Sequence, residues 1–387
     1  MHRLAAVAVA ALAGLVLALA PTAGATNKLQ VGIFDDGAVL YGEPELIFPQ
    51  LANTGTKLLR VNLWWSGPGI RVATRKPRRP ADPTDLAYNW DTYDRTVRFA
   101  VENNINVVFS IIGTPPWANA AKGWNVAPTN ATDLRSFAAA AQKRYSGKFV
   151  NADGVTLPKV SAWMAWNEPN NPVFLKPQYM RSAGTWVVQS GRDYARICNA
   201  VVQGVKSALR TSKVACGATG PRGNNNPNSS RPSVSPVAFL RAMKAGGARG
   251  FDAYAHHPYY GSPVETPSTK PRPGAKGQPP TAVTLGNFDV LVAELDKLYG
   301  RSMRIWITEY GYQTNPTDEF FGVPYSKQAS YLTQAVAFAR KHPRIDMFLW
   351  FLLRDEQRLG GWQSGLVTFD GKRKPSFAAF RRAAAQR

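Results

Sequence analysis

The chain has 387 residues, 44% hydrophobic and 19% charged, with 11 Trp, 14 Tyr and 18 Phe. That much apolar and aromatic material excludes a disordered or low-complexity protein, and no period of 20–50 residues recurs to suggest a solenoid. The 47 Lys and Arg against 25 Asp and Glu leave a formal charge of +22, which suits either an anionic polymer or surface as partner, or a merely solvated basic exterior.

At the N-terminus Arg3 precedes an apolar run from Leu4 to Ala20, and Ala23-Gly24-Ala25 has the small-x-small form of a cleavage site. The run could nearly span a bilayer as an anchor, but its Ala-rich character and Pro21 favour cleavage near Ala25. The expectation is a secreted protein with one domain over residues 26–387. Basic residues cluster at Arg71, Arg75, Lys76, Arg78 and Arg79, in Lys270 to Lys276, and at Lys372, Arg373, Lys374, Arg381 and Arg382. No nucleic-acid-binding motif accompanies them, and export argues against that partner. No feature demands a second subunit, so a monomer is expected.

Eight short β-branched or apolar runs read as strands, in the order Gln30 to Phe34, Leu58 to Leu63, Asn106 to Ile112, Val160 to Trp166, Lys213 to Gly217, Phe251 to Ala255, Arg304 to Thr308 and Met347 to Phe351. Several are apolar on both alternating faces, as parallel strands buried between two layers are. Helical patterns separate them: Pro44 to Asn53 (interrupted by Pro49), Trp90 to Asn103, Thr132 to Tyr145, Asp193 to Leu209, Val237 to Lys244, Asn287 to Tyr299, Lys327 to Lys341 and Ser376 to Ala384. Eight strand–helix repeats in this length predict an α/β fold, a single (β/α)8 TIM barrel. The Pro/Gly/Asn-rich stretches 71–85, 221–236 and 258–280 come after strands and would stand as long loops on the catalytic face. The only cysteines, Cys198 and Cys216, lack metal-type spacing. In an exported chain they either pair or remain two buried thiols.

Barrel enzymes carry their reactive groups at the C-terminal ends of strands. The fourth run ends Trp166-Asn167-Glu168-Pro169-Asn170 and the seventh ends Thr308-Glu309-Tyr310-Gly311. Each is an apolar strand closed by one carboxylate, costly to bury unless used or paired. Three strands apart, the two acids would face each other across the barrel mouth, as a pair flanking a scissile glycosidic bond must. Trp64, Trp65, Trp117, Trp124 and Trp362 lie near strand ends or in the adjoining loops. Any of them could stack on a sugar or pack in the core, and Trp117 is the favoured stacking residue.

These residues resemble clan A of the glycoside hydrolases, the retaining (β/α)8 enzymes. The Trp-Asn-Glu-Pro-Asn segment and Gly113-Thr114-Pro115-Pro116-Trp117 are most similar to family 39, with family 5 next. The resemblance implies that Glu168 is the acid/base, Glu309 the nucleophile, and Asn167 a ligand of the sugar 2-hydroxyl. It further implies that Arg60 lies beside the nucleophile and that Tyr259, in His257-Pro258-Tyr259, hydrogen-bonds it. His257 would belong to the same substrate-binding set, with Trp350 as floor of the cleavage subsite. Such a mechanism requires no metal and no organic cofactor. The implied activity is a β-glycoside hydrolase with net retention, acting on a polysaccharide or oligosaccharide, with an acidic polysaccharide or anionic cell surface suggested by the charge. On this reading Arg60 and Tyr259 keep Glu309 ionised, while an apolar setting and the Glu309 charge keep Glu168 protonated. A catalytically silent carbohydrate-binding barrel and an adhesin for anionic surfaces are the rival readings.

Overall fold

The computed structural model describes residues 29–274, 280–358 and 360–386. The leader-like segment and its cleavage site therefore lie outside the described residues, as does part of the basic stretch 270–276. No helix among the described residues is long and apolar enough to cross a membrane.

All eight expected strands are present and parallel, closed into one barrel. They are β1 (Gln30–Phe34), β2 (Leu58–Trp64), β3 (Asn106–Ile112), β4 (Ala162–Ala165), β7 (Lys213–Thr219), β8 (Ala253–His256), β9 (Arg304–Tyr310) and β10 (Ile345–Trp350), each paired with its chain neighbours in this set and β10 with β1. A separate antiparallel hairpin, β5 (Tyr179–Ser182) and β6 (Thr185–Val188), comes after β4. Its turn residues Ala183 and Gly184 both have positive φ, as a two-residue primed turn needs. The helices are α1 (Asp36–Tyr41), α2 (Pro44–Asn53), α3 (Asp91–Glu102), α4 (Ala131–Arg144), α5 (Gln189–Ala208), α6 (Pro236–Ala245), α7 (Asp289–Tyr299), α8 (Tyr325–Lys341) and α9 (Pro375–Ala385). The sequence pattern missed α1 and the hairpin, both too short for a periodic signal. Pro49 sits inside α2 without ending it.

Alternation along the strands divides the apolar residues between two layers. Leu58, Val108, Met164, Ala215, Ala253, Ala255, Trp306, Met347 and Leu349 fill the barrel interior. Leu59, Val61, Leu63, Phe109, Ile111, Ile305 and Ile307 face the helices. Interior space is tight: a Cβ on Gly32 would come within 2.2 Å of the Leu58 carbonyl oxygen and 2.8 Å of Leu349 Cδ2, as in a close-packed core.

Two further features fix the outer shell. Cys198 on α5 is bonded to Cys216 on β7 as a disulfide, with Cα atoms 5.8 Å apart. Lys374, one of the supposed surface cations, is buried at the start of α9; its Nζ donates to Asp355 Oδ1 at 2.8 Å and Thr314 Oγ1 at 2.8 Å. Because the Cys198–Cys216 loop is short, the chain-entropy model gives the bond about 3 kcal/mol. The Cys198→Ala/Cys216→Ala double variant should fold and bind like the parent but lose stability of that order in urea denaturation. An unchanged midpoint would show that the bond constrains nothing.

Candidate active site

The C-terminal mouth of the barrel gathers Arg60 from β2, Asn167 and Glu168 just after β4, His257 and Tyr259 just after β8, and Thr308 and Glu309 from the end of β9. Arg60 is at its centre and fully buried. Alternation places it, with Asn62, above Leu58 on the inward side of β2. Its Nη1 donates to Glu309 Oε1 at 2.7 Å and to the Thr308 carbonyl at 3.1 Å; its Nη2 donates to Asn167 Oδ1 at 2.6 Å. The guanidinium carbon lies 4.1 Å from the centre of the Phe34 ring, a cation–π contact that covers another face of the group.

Glu309 reaches this partner through a break in the strand. Ile305 and Ile307 point outward, so strict alternation would send Glu309 outward too. Between the pairs Ile307–Phe348 and Tyr310–Trp350, however, β9 has one residue more than β10. Such a bulge reverses the facing of the residues beyond it, and Glu309 turns inward. Its second oxygen, Oε2, accepts from the Tyr259 hydroxyl at 3.2 Å. Burial, reinforced by the Glu309 and Glu168 charges, holds Tyr259 well above its ordinary value, so the phenol stays a donor.

Glu168 is placed by a kink rather than a strand. Trp166 and Glu168 both have positive φ, and the Glu168 amide donates to the Ala218 carbonyl at 2.8 Å across to β7. A Cβ on Gly220 would stand 2.9 Å from Glu168 Cδ, so this glycine makes room for the carboxyl group. Burial pushes Glu168 up to about 7, while Asn171 and Arg60 pull the other way. The apolar setting expected around this carboxyl is thus the main cause of its shift.

His257 joins the two acids. Its Nδ1 lies 3.0 Å from Glu168 Oε1 and 3.6 Å from Glu309 Oε1, and its Nε2 lies 2.9 Å from Thr308 Oγ1. Burial is the main reason its value falls to about 3, so the ring is neutral and one nitrogen must accept. The adjacent His256 is also lowered to about 3 by burial, and its ring nitrogens contact Thr219 Oγ1 and the Val283 carbonyl. It is a packed core histidine.

One oxygen each of Glu168 and Glu309 and a nitrogen of His257 lie within 4.8 Å of one another, a spacing that would also suit a cation. The Arg60 guanidinium, in contact with Glu309 and 3.4 Å from His257 Nε2, already supplies positive charge there and opposes a second one.

The aromatic expectations need revision. Trp350 is fully buried and its indole N–H donates to the Ser364 carbonyl at 2.9 Å, so it has no face to offer a sugar and does not floor the cleft. The next residue, Phe351, is half-buried, stacks on Phe34 and meets Trp362 edge-on. Trp362 is 40% exposed with its ring 5.7 Å from that of Tyr259. Trp117 packs edge-on against the buried Trp65. Phe351 and Trp362 thus bring aromatic surface to the side of the mouth that holds Tyr259 and Glu309. The sequence reading also passed over Asp36, just beyond the end of β1. Its Oδ1 accepts from the Asn62 amide at 3.0 Å, and burial raises it to about 7. The signal available was an acid just past a strand end, the same one that marked the two glutamates.

Comparison with known proteins agrees with the fold. A family profile described as a family of unknown function (DUF5722) matches residues 87–387. The chain belongs to that family. The match takes in both glutamates, His257 and Tyr259 and begins downstream of Arg60. No match was found among curated proteins. Among solved structures, a family 39 glycoside hydrolase from the gut symbiont Bacteroides cellulosilyticus WH2 superimposes with a TM-score of 0.63 at 19% identity over 93% of this chain. A glucosidase from Croceicoccus marinus gives 0.64 at 15% over 93% of this chain and 67% of its own. GH5_18 from Streptomyces cattleya, in complex with GlcNAc, gives 0.56 at 15% over 93% and 80%. The chain spans 64% of the length of the first of these. At such identities the likeness is one of fold, and at that level it includes both glycosidase families to which the motifs are similar.

The site carries a stability cost with a defined sign. Glu168 holds its proton more tightly when folded (about 7) than when unfolded (4.5), so stability falls as pH rises from 4.5 and the loss is complete above 7. Glu168→Gln removes the titration. It should raise the melting temperature by a few degrees at pH 8 and change it little at pH 4.5; equal shifts at both would refute the burial cost.

Proposed function

We propose that this protein is a glycoside hydrolase that cleaves β-glycosidic bonds with net retention, with Glu168 as acid/base and Glu309 as nucleophile. The observation that carries the reading is the approach of the two carboxyl groups to within 4.8 Å, oxygen to oxygen, across the barrel mouth. Double displacement works with carboxyl groups about 5–5.5 Å apart, whereas inversion needs about 6.5–9.5 Å to admit a water. The family 39 and GH5_18 neighbours support the same chemistry by analogy of fold.

In the first step a Glu309 oxygen attacks the anomeric carbon, the bond to the leaving oxygen breaks, and the Glu168 proton passes to that oxygen. Arg60 and Tyr259 each bind one Glu309 oxygen, holding the nucleophile oriented. In the second step Glu168 takes a proton from water, the hydroxide adds to the same carbon, and Glu309 leaves. Asn167 gives its Oδ1 to Arg60, which fixes the amide and turns its N–H2 toward the substrate as donor for a sugar hydroxyl. Phe351 and Trp362 supply stacking surface. The neutral His257, 3.0 Å from Glu168, holds that carboxyl in place without adding a charge that would strip its proton. Action outside the cell rests on the N-terminal sequence, and a carbohydrate substrate on the site.

The test is a panel of aryl β-glycosides and polysaccharides with the first-formed anomer followed by NMR. Turnover should give the β-anomer first and should fall above about pH 7 as Glu168 ionises. Glu309→Ala should lose at least about 10³-fold in kcat, a magnitude typical of removing a group that acts as a unit with its partner. Undiminished turnover by Glu309→Ala, or an α-anomer appearing first, refutes the assignment. Gly220→Ala, which crowds Glu168, should slow substrates with poor leaving groups by about 10- to 100-fold while sparing activated aryl glycosides, as loss of positioned general acid does.

A further inference from the structure

Beside the catalytic pair lies a second concavity of about 620 Å³, walled by Asn171, Arg222, Arg231 and Arg272 together with small and polar residues of the loops after β7 and β8. Its lining has three guanidinium groups and, among the described residues, no carboxylate. Within the same described set none of the three is in an ion pair, although several arginines elsewhere in the fold are: Arg60 with Glu309, Arg144 with Asp94, Arg241 with Glu294, Arg304 with Asp346. Glu265 is the acid whose charge reaches Arg222, and it is not part of the wall.

This basic cleft is tied to Glu168 rather than to Glu309. Asn171, in the wall, donates through Nδ2 toward Glu168 Oε2 at 3.5 Å. Asn170 clips the whole loop to the acid: its Nδ2 donates to the carbonyls of Gly220, Arg222 and Val234 at 3.1, 3.2 and 2.9 Å, and its Oδ1 accepts from the Gly220 amide at 2.8 Å. Arg222 is held by its own donation to the Tyr260 carbonyl at 2.9 Å. The loop bearing Arg231 is braced by Asn224, which donates to the Arg231 carbonyl and accepts from the Ser233 amide. The Arg222 guanidinium is therefore fixed in position, and the backbone that carries Arg231 is braced beside it. In a hydrolase the acid stands over the leaving oxygen, so whatever occupies this cleft is the sugar that departs.

We propose that the cleft is the leaving-group subsite and takes a sugar bearing a carboxylate or a sulfate ester; the placement on the leaving side rests on the hydrolase reading above. Guanidinium groups match both anions through paired N–H donors; Arg231 and Arg272 have no carboxylate partner among the described residues, and Arg222, held by the Tyr260 carbonyl and within reach of the Glu265 charge, adds a third donor group to the same wall.

Binding can be read without turnover by isothermal titration on the Glu168→Gln protein, using a hexameric β-1,4-glucuronan (carboxylate), a carrageenan oligosaccharide (sulfate ester) and a neutral β-1,4-galactan oligosaccharide. At least one anionic ligand should bind about 10-fold or more tightly than the neutral one, the advantage shrinking between about 50 and 500 mM salt; whichever wins names the anion. Arg222→Gln/Arg231→Gln/Arg272→Gln on the same background should erase the preference at an unchanged melting temperature. If that protein does not fold, the exposed Arg231→Gln alone should still cost at least about 3-fold. Equal affinity for neutral and anionic ligands, a preference that survives the arginine changes, or a single-stranded DNA oligonucleotide bound as tightly as the glycans would each overturn the subsite. Arginine-dependent glycan binding in a protein with no glycosidase turnover would instead sink the hydrolase reading alone.

Discussion

The site depends on one buried cation. Arg60 has no exposed surface, and a guanidinium removed from water is tolerated only where acceptors surround it. Those acceptors come from the ends of other strands: Glu309 and the Thr308 carbonyl from β9, Asn167 from beyond β4. Satisfying one charge therefore brings the proposed nucleophile and the residue next to the proposed acid to fixed places, and it links strands that are not neighbours in the sheet. The closed barrel makes this possible, because only a ring of strands points so many termini at one volume. At the seam of that ring Asp35 performs a quieter service: its Oδ2 accepts from the amides of Leu353 and Arg354, pinning the segment after the last strand to the end of the first.

Much of this was legible in the sequence. Eight apolar runs separated by amphipathic helices gave the barrel, and acids terminating apolar strands gave Glu168 and Glu309. The features that stayed hidden have a common physical cause: departures from regular strand geometry at the barrel mouth. The bulge in β9 that turns Glu309 inward, a second irregularity in β7 between Cys216 and Thr219, and the positive φ at Trp166 and Glu168 are set by the packing of neighbouring strands, and no pattern of residue types announces them. The same irregularity explains Trp350. As a tryptophan at the end of the last strand it matched its expected place, yet the turn of the chain just beyond gives the cleft face to Phe351 and leaves Trp350 in the outer layer. Clusters of charge misled in a similar way, since Lys374 within a basic triplet is a buried partner of Asp355.

The electrostatics separate two functions that would otherwise interfere. A general acid must keep its proton near neutral pH, and three nearby guanidinium groups would tend to remove it. Burial dominates the Glu168 shift and outweighs the opposing pull of Asn171 and Arg60. The neutral His257 serves the same end, since a protonated ring at 3.0 Å would drive Glu168 toward its ionised form. On the proposed reading, the cleft can present its charge to an anionic sugar while burial keeps the proton on Glu168. An anion seated among those arginines would also cancel much of whatever field does leak toward the acid, so a charged leaving sugar would arrive with its charge already met and leave the proton where the reaction needs it.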